Sequence, residues 1–228
     1  MGTQGIMRRR LVLFVAAVTL VGCGGKAPPS ATQVPASAPA AVEAQAPPAG
    51  VYGDPAVPVA GRVLGTVIHT QDAEELRYVV LKELTDRYAA SRGITVTQAE
   101  KEAYAAQVRE ALSKDPAVAA EPGEETDEDR AARLEIAEAF IKQWKINRAL
   151  YQQYGGRIGF QQGGPEPLDA FRAFLEERQA AGDFSIDDDV IAAEFWRYYR
   201  DDSIHSFFEP GSADEAKAFG VEPWASGQ

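Results

Sequence analysis

Between residues 70 and 200, apolar side chains recur at three- and four-residue intervals, the spacing that lays one stripe along a helix. Leu76, Val80, Leu84 and Tyr88 form the first such stripe, widened by Val79 and Leu81. Thr70-Gln71-Asp72 reads as its start, with Glu74 and Glu75 in the first turn, and Gly93 as its stop. Thr97 and Glu100 make a capping box for a second helix that carries Tyr104, Val108 and Leu112. Pro116, Pro122 and Gly123 place a loop at 113–125. Thr126, followed by Asp127, Glu128 and Asp129, opens a long third helix through Leu134, Ala137, Phe140, Ile141, Trp144, Asn147, Arg148 and Tyr151 to Gly155-Gly156. Gly164-Pro165 is expected to open a fourth, lined by Leu168, Phe171, Phe174 and Leu175 and ended by Gly182. Asp187-Asp188-Asp189 opens a fifth, with Val190, Ile191, Phe195, Trp196 and Tyr199 on its apolar face. One short strand is expected within Val59–Ile68, where Val63, Gly65 and Val67 alternate, and another over Arg157–Phe160; Phe184-Ser185-Ile186 leads into the fifth helix. The tail from Pro210 carries little pattern. The fold class expected is mostly α, about five helices with two or three short strands.

The first 58 residues follow a different pattern. Met7-Arg8-Arg9-Arg10 is a basic start, Leu11 to Val21 is an unbroken apolar run, and Leu20-Val21-Gly22-Cys23 looks like the bacterial lipobox. A bilayer span needs roughly 20 apolar residues, so this run is a signal-peptide core and not a membrane anchor. The expectation is a lipoprotein signal peptide over 1–22 and lipidation at Cys23, which ties the mature chain to the lipid bilayer. Gly24 is not an aspartate, and by analogy with lipoproteins of Gram-negative bacteria this suggests the outer membrane, facing the periplasm. Residues 23–58 are rich in Ala, Pro, Ser, Gln and Val and read as a disordered, semi-stiff tether, which leaves 59–228 as the helical domain.

Charge and composition narrow the chemistry. The whole chain has a net charge of −11; without residues 1–22 it has 20 basic and 34 acidic residues, or −14. No basic patch stands out, so nucleic acid is not expected as a partner. A single cysteine excludes an internal disulfide and any multi-cysteine metal site. His69 falls at a strand–helix junction, where a local hydrogen bond is the simplest role. His205 follows Asp201 and Asp202, which could raise its basicity, but no nucleophile or second histidine is near it in sequence. The acidic runs Glu121–Asp129 and Asp187–Asp189 lack the twelve-residue calcium-loop pattern and read as helix starts. No serine elbow, phosphate loop or dinucleotide fingerprint is present. No catalytic residue, metal or cofactor is expected. The densest feature is Phe195-Trp196-Arg197-Tyr198-Tyr199 followed by Phe207-Phe208. Trp196, Tyr198, Tyr199, Phe207 and Phe208 are the candidate contacts for an apolar protein partner, since aromatic rings give large contact area at small entropic cost. The competing assignment has Phe195, Trp196 and Tyr199 packing the core.

Val59-Ala60-Gly61, then Ile68-His69-Thr70, then Glu74-Glu75-Leu76 resembles the opening of SurA-type periplasmic chaperone domains, where a strand of the form V-N-G-x-x-I-T feeds a helix beginning near E-L. Gly93-Ile94-Thr95-Val96-Thr97 through Glu100 is similar to that family's entry to its second helix, and 126–154 is similar to its later core helix. Ala60 stands where Asn is usual, and the gap before Ile68 is longer. The resemblance spans roughly 59–154. It implies a helical holdase that shields unfolded or partly folded envelope proteins. Many relatives also carry a parvulin prolyl-isomerase domain, and Gly155-Gly156-Arg157-Ile158-Gly159-Phe160 resembles the parvulin stretch G-G-x-L-G-x-F. The histidine-bearing strand and the closing G-x-H-I-I strand of parvulins have no counterpart, so isomerase activity near 155–165 is the alternative reading. A non-catalytic assembly subunit with one fixed protein partner is the third. Sequence leaves the oligomeric state open.

Overall fold

The computed structural model describes residues 50–114, 126–161 and 163–225. The signal peptide, Cys23, the tether up to residue 49 and nearly all of the 113–125 loop lie outside the described residues. The protein is mostly helical, with six helices among the described residues, five of them long, and a few short strands. In chain order these are β1 Val51–Tyr52, β2 Val59–Val63, β3 Thr66–His69, α1 Ala73–Ser91, α2 Gln98–Ser113, α3 Asp127–Tyr154, β4 Gly159–Gln161, β5 Gly164–Glu166, α4 Leu168–Ala180, β6 Phe184–Ile186, α5 Asp189–Arg200 and α6 Ala213–Ala218. Short 3-10 turns occupy Asp202–Ile204 and Pro223–Ala225.

Helix starts coincide with capping side chains. Asp72 accepts from the Glu74 amide, Thr97 and Glu100 cap each other, as do Thr126 and Asp129, and Asp188 accepts from Val190 and Ile191. Each bond satisfies an amide that has no partner inside the helix.

Three expectations need correction, and the tail left without pattern gains a structure. The strand expected within 59–68 is a hairpin: β2 and β3 pair antiparallel about a two-residue turn in which Leu64 and Gly65 both have positive φ, 47° and 86°. Such a turn matches the twist of the two strands, and the Leu64 amide is held by the Asp183 carbonyl at 2.7 Å. The folded part begins before residue 59, because β1 pairs parallel with β3 and the Val67 amide donates to the Gly50 carbonyl. The fourth helix begins at Leu168 and not at Gly164-Pro165, which form β5 against β4. Gly164 has φ 108°, outside helical geometry, and Asn147 Nδ2 donates to the Pro165 carbonyl at 2.9 Å, fixing the segment as strand. The tail from Pro210, weakly patterned in sequence, is ordered: it forms α6 and a 3-10 turn and buries Phe219 and Trp224.

Two apolar clusters result. The larger lies between the four-stranded sheet, in the order β1-β3-β2-β6, and the inner faces of α1, α4, α5 and the last turns of α3. Val63, Ile68, Leu76, Val80, Leu150, Leu175 and Phe195 are among its fully buried members. The smaller joins Ile141 and Trp144 of α3 to Ile158, Phe219 and Trp224, with Tyr104 of α2 against it.

Candidate functional site

The five aromatic candidates split. Trp196 and Tyr199, 8 % and 3 % exposed, belong to the larger core, where Phe184, Phe195, Trp196 and Tyr199 pack edge-to-face or tilted at 5.3–6.5 Å. They are not partner contacts: α5 turns that face inward against α1 and β6, and a helix stripe of this kind is used up by burial. Tyr198, Phe207 and Phe208 are half-buried, and each is held by a neighbour. Tyr198 Oη donates to Glu166 Oε2 at 2.9 Å while the Arg77 guanidinium lies 4.3 Å from its ring centre. Phe207 sits under the Arg157 guanidinium, also at 4.3 Å. Phe208 packs edge-on to Phe160 at 5.8 Å.

The segment after α5 is a strap that positions these groups. Its Phe208 amide donates to the Ile158 carbonyl and its Ser206 carbonyl accepts from the Phe160 amide, so 206–208 lies along β4. Arg157 closes the strap from the side with paired hydrogen bonds to Asp169 and Asp202, each 2.8–3.0 Å. The hydrogen bonds from Arg157 hold the Asp169 carboxyl below the usual carboxylate range and do the same for Asp202.

His205 lies in this strap, but not as a carboxylate-paired base. Its Nε2 is 2.5 Å from the Tyr198 carbonyl, which only accepts, so Nε2 carries the hydrogen. Nδ1 then accepts from Gln161 Nε2 at 3.4 Å. Asp201 is engaged with Ser203, and Asp202 with Arg157. The carboxylate that does approach this region is Glu166, whose pKa is raised by burial and only partly offset by the Tyr198 hydroxyl, His205 and Arg77. Tyr199 Oη, beside the same group, is buried with no hydrogen-bond partner among the described residues. Two depressions on the surface of the described residues, about 330 and 380 Å³, lie elsewhere: one between α2 and α3 near Ala105 and Leu134, one beside Ile94 and Lys145. His69 donates from Nδ1 to the Val57 carbonyl at 2.6 Å, the local bond expected at that junction. Asp127–Asp129 and Asp187–Asp189 sit at helix starts. Among the described residues no group of His, Cys, Asp and Glu could hold a metal ion, and no helix is long and apolar enough to cross a membrane.

Beside the strap, a set of aromatic rings reaches the surface, and of these the sequence flags Phe208 alone. Phe160 is 56 % exposed on β4 and leans on Phe208. A side chain at Gly163, in the turn between β4 and β5, would come within 3.9 Å of the Phe140 ring. Phe140 in turn faces Tyr104 of α2 at 6.0 Å. The pairs Phe160–Phe208 and Phe140–Tyr104, with the Gly163 turn beside Phe140, make a broken aromatic run in which Phe160 is exposed and the other three rings are half-buried, and Ile136 is exposed one turn before Phe140 on α3. No single segment of sequence carries this run, so period and composition give no sign of it.

No family model, no curated protein and no solved structure matches the chain.

Proposed function

We propose that this protein is a lipid-anchored, chaperone-like binding module that holds unfolded or partly folded envelope proteins near the outer membrane. The observation that carries the reading is the exposed Phe160 ring on half-buried Phe208, with the half-buried Phe140–Tyr104 pair on the neighbouring helices. Rings that reach the surface from a hairpin and a helix pair bind apolar segments of varied sequence, because their contact area is large and little side-chain freedom is lost on binding. The acidic surface, net −14 for the mature chain, keeps such a module soluble and disfavours anionic lipid and nucleic acid as competitors. The resemblance of 59–154 to SurA-type domains supports the same reading, and Cys23 supplies the anchor. Tyr198 and His205 are engaged with Glu166, the Tyr198 carbonyl and Gln161, which favours the holding reading over the isomerase alternative.

The test uses the mature chain with Cys23→Ala, which is free of lipid. An outer-membrane protein unfolded in denaturant is diluted with and without it, and light scattering follows aggregation. Suppression at a near-stoichiometric ratio is expected. Undiminished scattering at about ten-fold excess, a margin worth about 1.4 kcal/mol in affinity, contradicts the reading and favours one fixed partner.

A further inference from the structure

The smaller apolar cluster is completed by the end of the chain. Phe219 packs on Trp144 at 6.0 Å and Tyr151 at 5.4 Å; Trp224 meets Trp144 edge-on at 5.1 Å. Both are nearly fully buried. Their bed is a groove on α3 beside α2, made by Ile141, Trp144, Tyr104 and Val96. Two cations flank it: Lys145 Nζ lies 5.4 Å from the Trp224 ring centre, and Arg148 pairs with Glu222 at 3.3 Å.

The manner of attachment is unusual for a core element. Beyond Phe208, the backbone hydrogen bonds of the tail among the described residues close within the tail itself: Ser212 to Glu209, Ala216 to Ser212, Gly220 to Lys217 and Ala225 to Glu222. No strand pairing joins 209–225 to the body among the described residues. Two buried rings, Ala218, the Lys145–Trp224 contact and one half-exposed ion pair hold it, all of them side-chain contacts, and Pro210-Gly211 forms the turn at its root, Gly211 having φ 76° and open space around it. Segments held by few side chains, with no shared backbone ladder, open at far lower free energy than the body they rest on.

We infer that residues 213–225 are an internal ligand of the α2–α3 groove, which the chain's own tail covers until a partner segment of the same chemistry displaces it. That chemistry is read from the tail: two aromatic residues five positions apart, Phe219 and Trp224, with an acid between them placed for Arg148. The occupant of the opened groove is therefore an extended or turned segment of a bound protein bearing paired aromatics and a carboxylate. This rests on the holding function proposed above. It adds a second aromatic surface, adjoining the broken run through Tyr104 and Phe208, that is available only when the tail lifts.

A labelled synthetic peptide of residues 209–225 is titrated, by fluorescence anisotropy, into the mature chain carrying Cys23→Ala and into the same chain carrying Phe219→Ala and Trp224→Ala. The variant is expected to bind the peptide about ten-fold or more tightly than the chain with its own tail intact, because that tail competes. The peptide with Trp224→Ala is expected to bind neither. Absence of binding to a variant that keeps its helical circular dichroism overturns the proposal. Hydrogen exchange of the unsubstituted tail chain gives a second reading should the variant not fold. Tail amides of 216–220 exchanging about a hundred-fold faster than those of Ile141–Leu150 support a lifting tail; equal protection makes it a fixed part of the core and overturns the proposal. Neither experiment reads aggregation, so failure of the holding function leaves their outcomes unaffected.

Discussion

Two carboxyl groups near the strap respond to pH in opposite directions. The Asp169 carboxyl is held below its ordinary value of 3.8 by hydrogen bonds from Arg157. It stabilises the fold above that value, and the contribution is lost as pH falls through the lower, folded-state pKa. Glu166 is the reverse. Burial raises its pKa above the ordinary 4.5, so the folded state favours the proton and the penalty of holding a buried charge grows as pH rises through 4.5 and beyond. Glu166→Gln keeps an acceptor for Tyr198 Oη and removes the charge. Its melting temperature is expected to equal or exceed that of the unsubstituted chain near about pH 7, with the difference vanishing near about pH 4. Scanning calorimetry at the two pH values checks this, and a melting temperature lower by several degrees at neutral pH contradicts it. Arg157→Ala removes the hydrogen bonds to Asp169 and Asp202 and the stacking on Phe207, and should lower stability by about 1–3 kcal/mol in urea titrations. Phe195, fully buried at the centre of the ring cluster, is the residue whose truncation to Ala should cost most, about 3–5 kcal/mol in the same titration.

Among the elements, the sheet has the least tolerance. A Cβ on Gly61 would stand 2.3 Å from the Ser185 carbonyl oxygen, backbone against backbone across β2 and β6. Gly61→Ala must push β6 away from β2, and a loss of roughly 1–3 kcal/mol in urea titration is expected. An unchanged midpoint would mean the two strands do not pair as described. Elements announced by local chemistry are legible in the amino-acid sequence: Asp72, Thr97, Thr126 and Asp188 cap helices where the sequence places them, because a cap acts over three residues. Elements that depend on distant partners are not. Leu64 gives no warning of the left-handed turn it adopts, since the Asp183 carbonyl, in the bend before β6 far along the chain, holds it there. Val51–Tyr52 becomes a strand only by pairing with β3. The same logic divides the site: Trp196 and Tyr199 belong to the core because their helical stripe already commits them to it, while Phe160, Phe140 and Tyr104 gain meaning only when three separate elements meet.

At the scale of the whole molecule, the proposed design is an acidic domain on a proline-punctuated tether. Cys23→Ala is expected to abolish incorporation of a fatty-acid probe, and persistent labelling would remove the anchor from the account. If the rings around exposed Phe160 hold unfolded protein, removing them must weaken holding in a chain that still folds, as checked by its circular dichroism. Light scattering of a diluted, unfolded outer-membrane protein is recorded with the Cys23→Ala chain and with the same chain carrying Phe160→Ser and Phe208→Ser. The account predicts that the serine variant needs about five-fold or more protein for equal suppression, since a few central aromatic contacts dominate such binding. Superimposable curves from the two folded chains would contradict it.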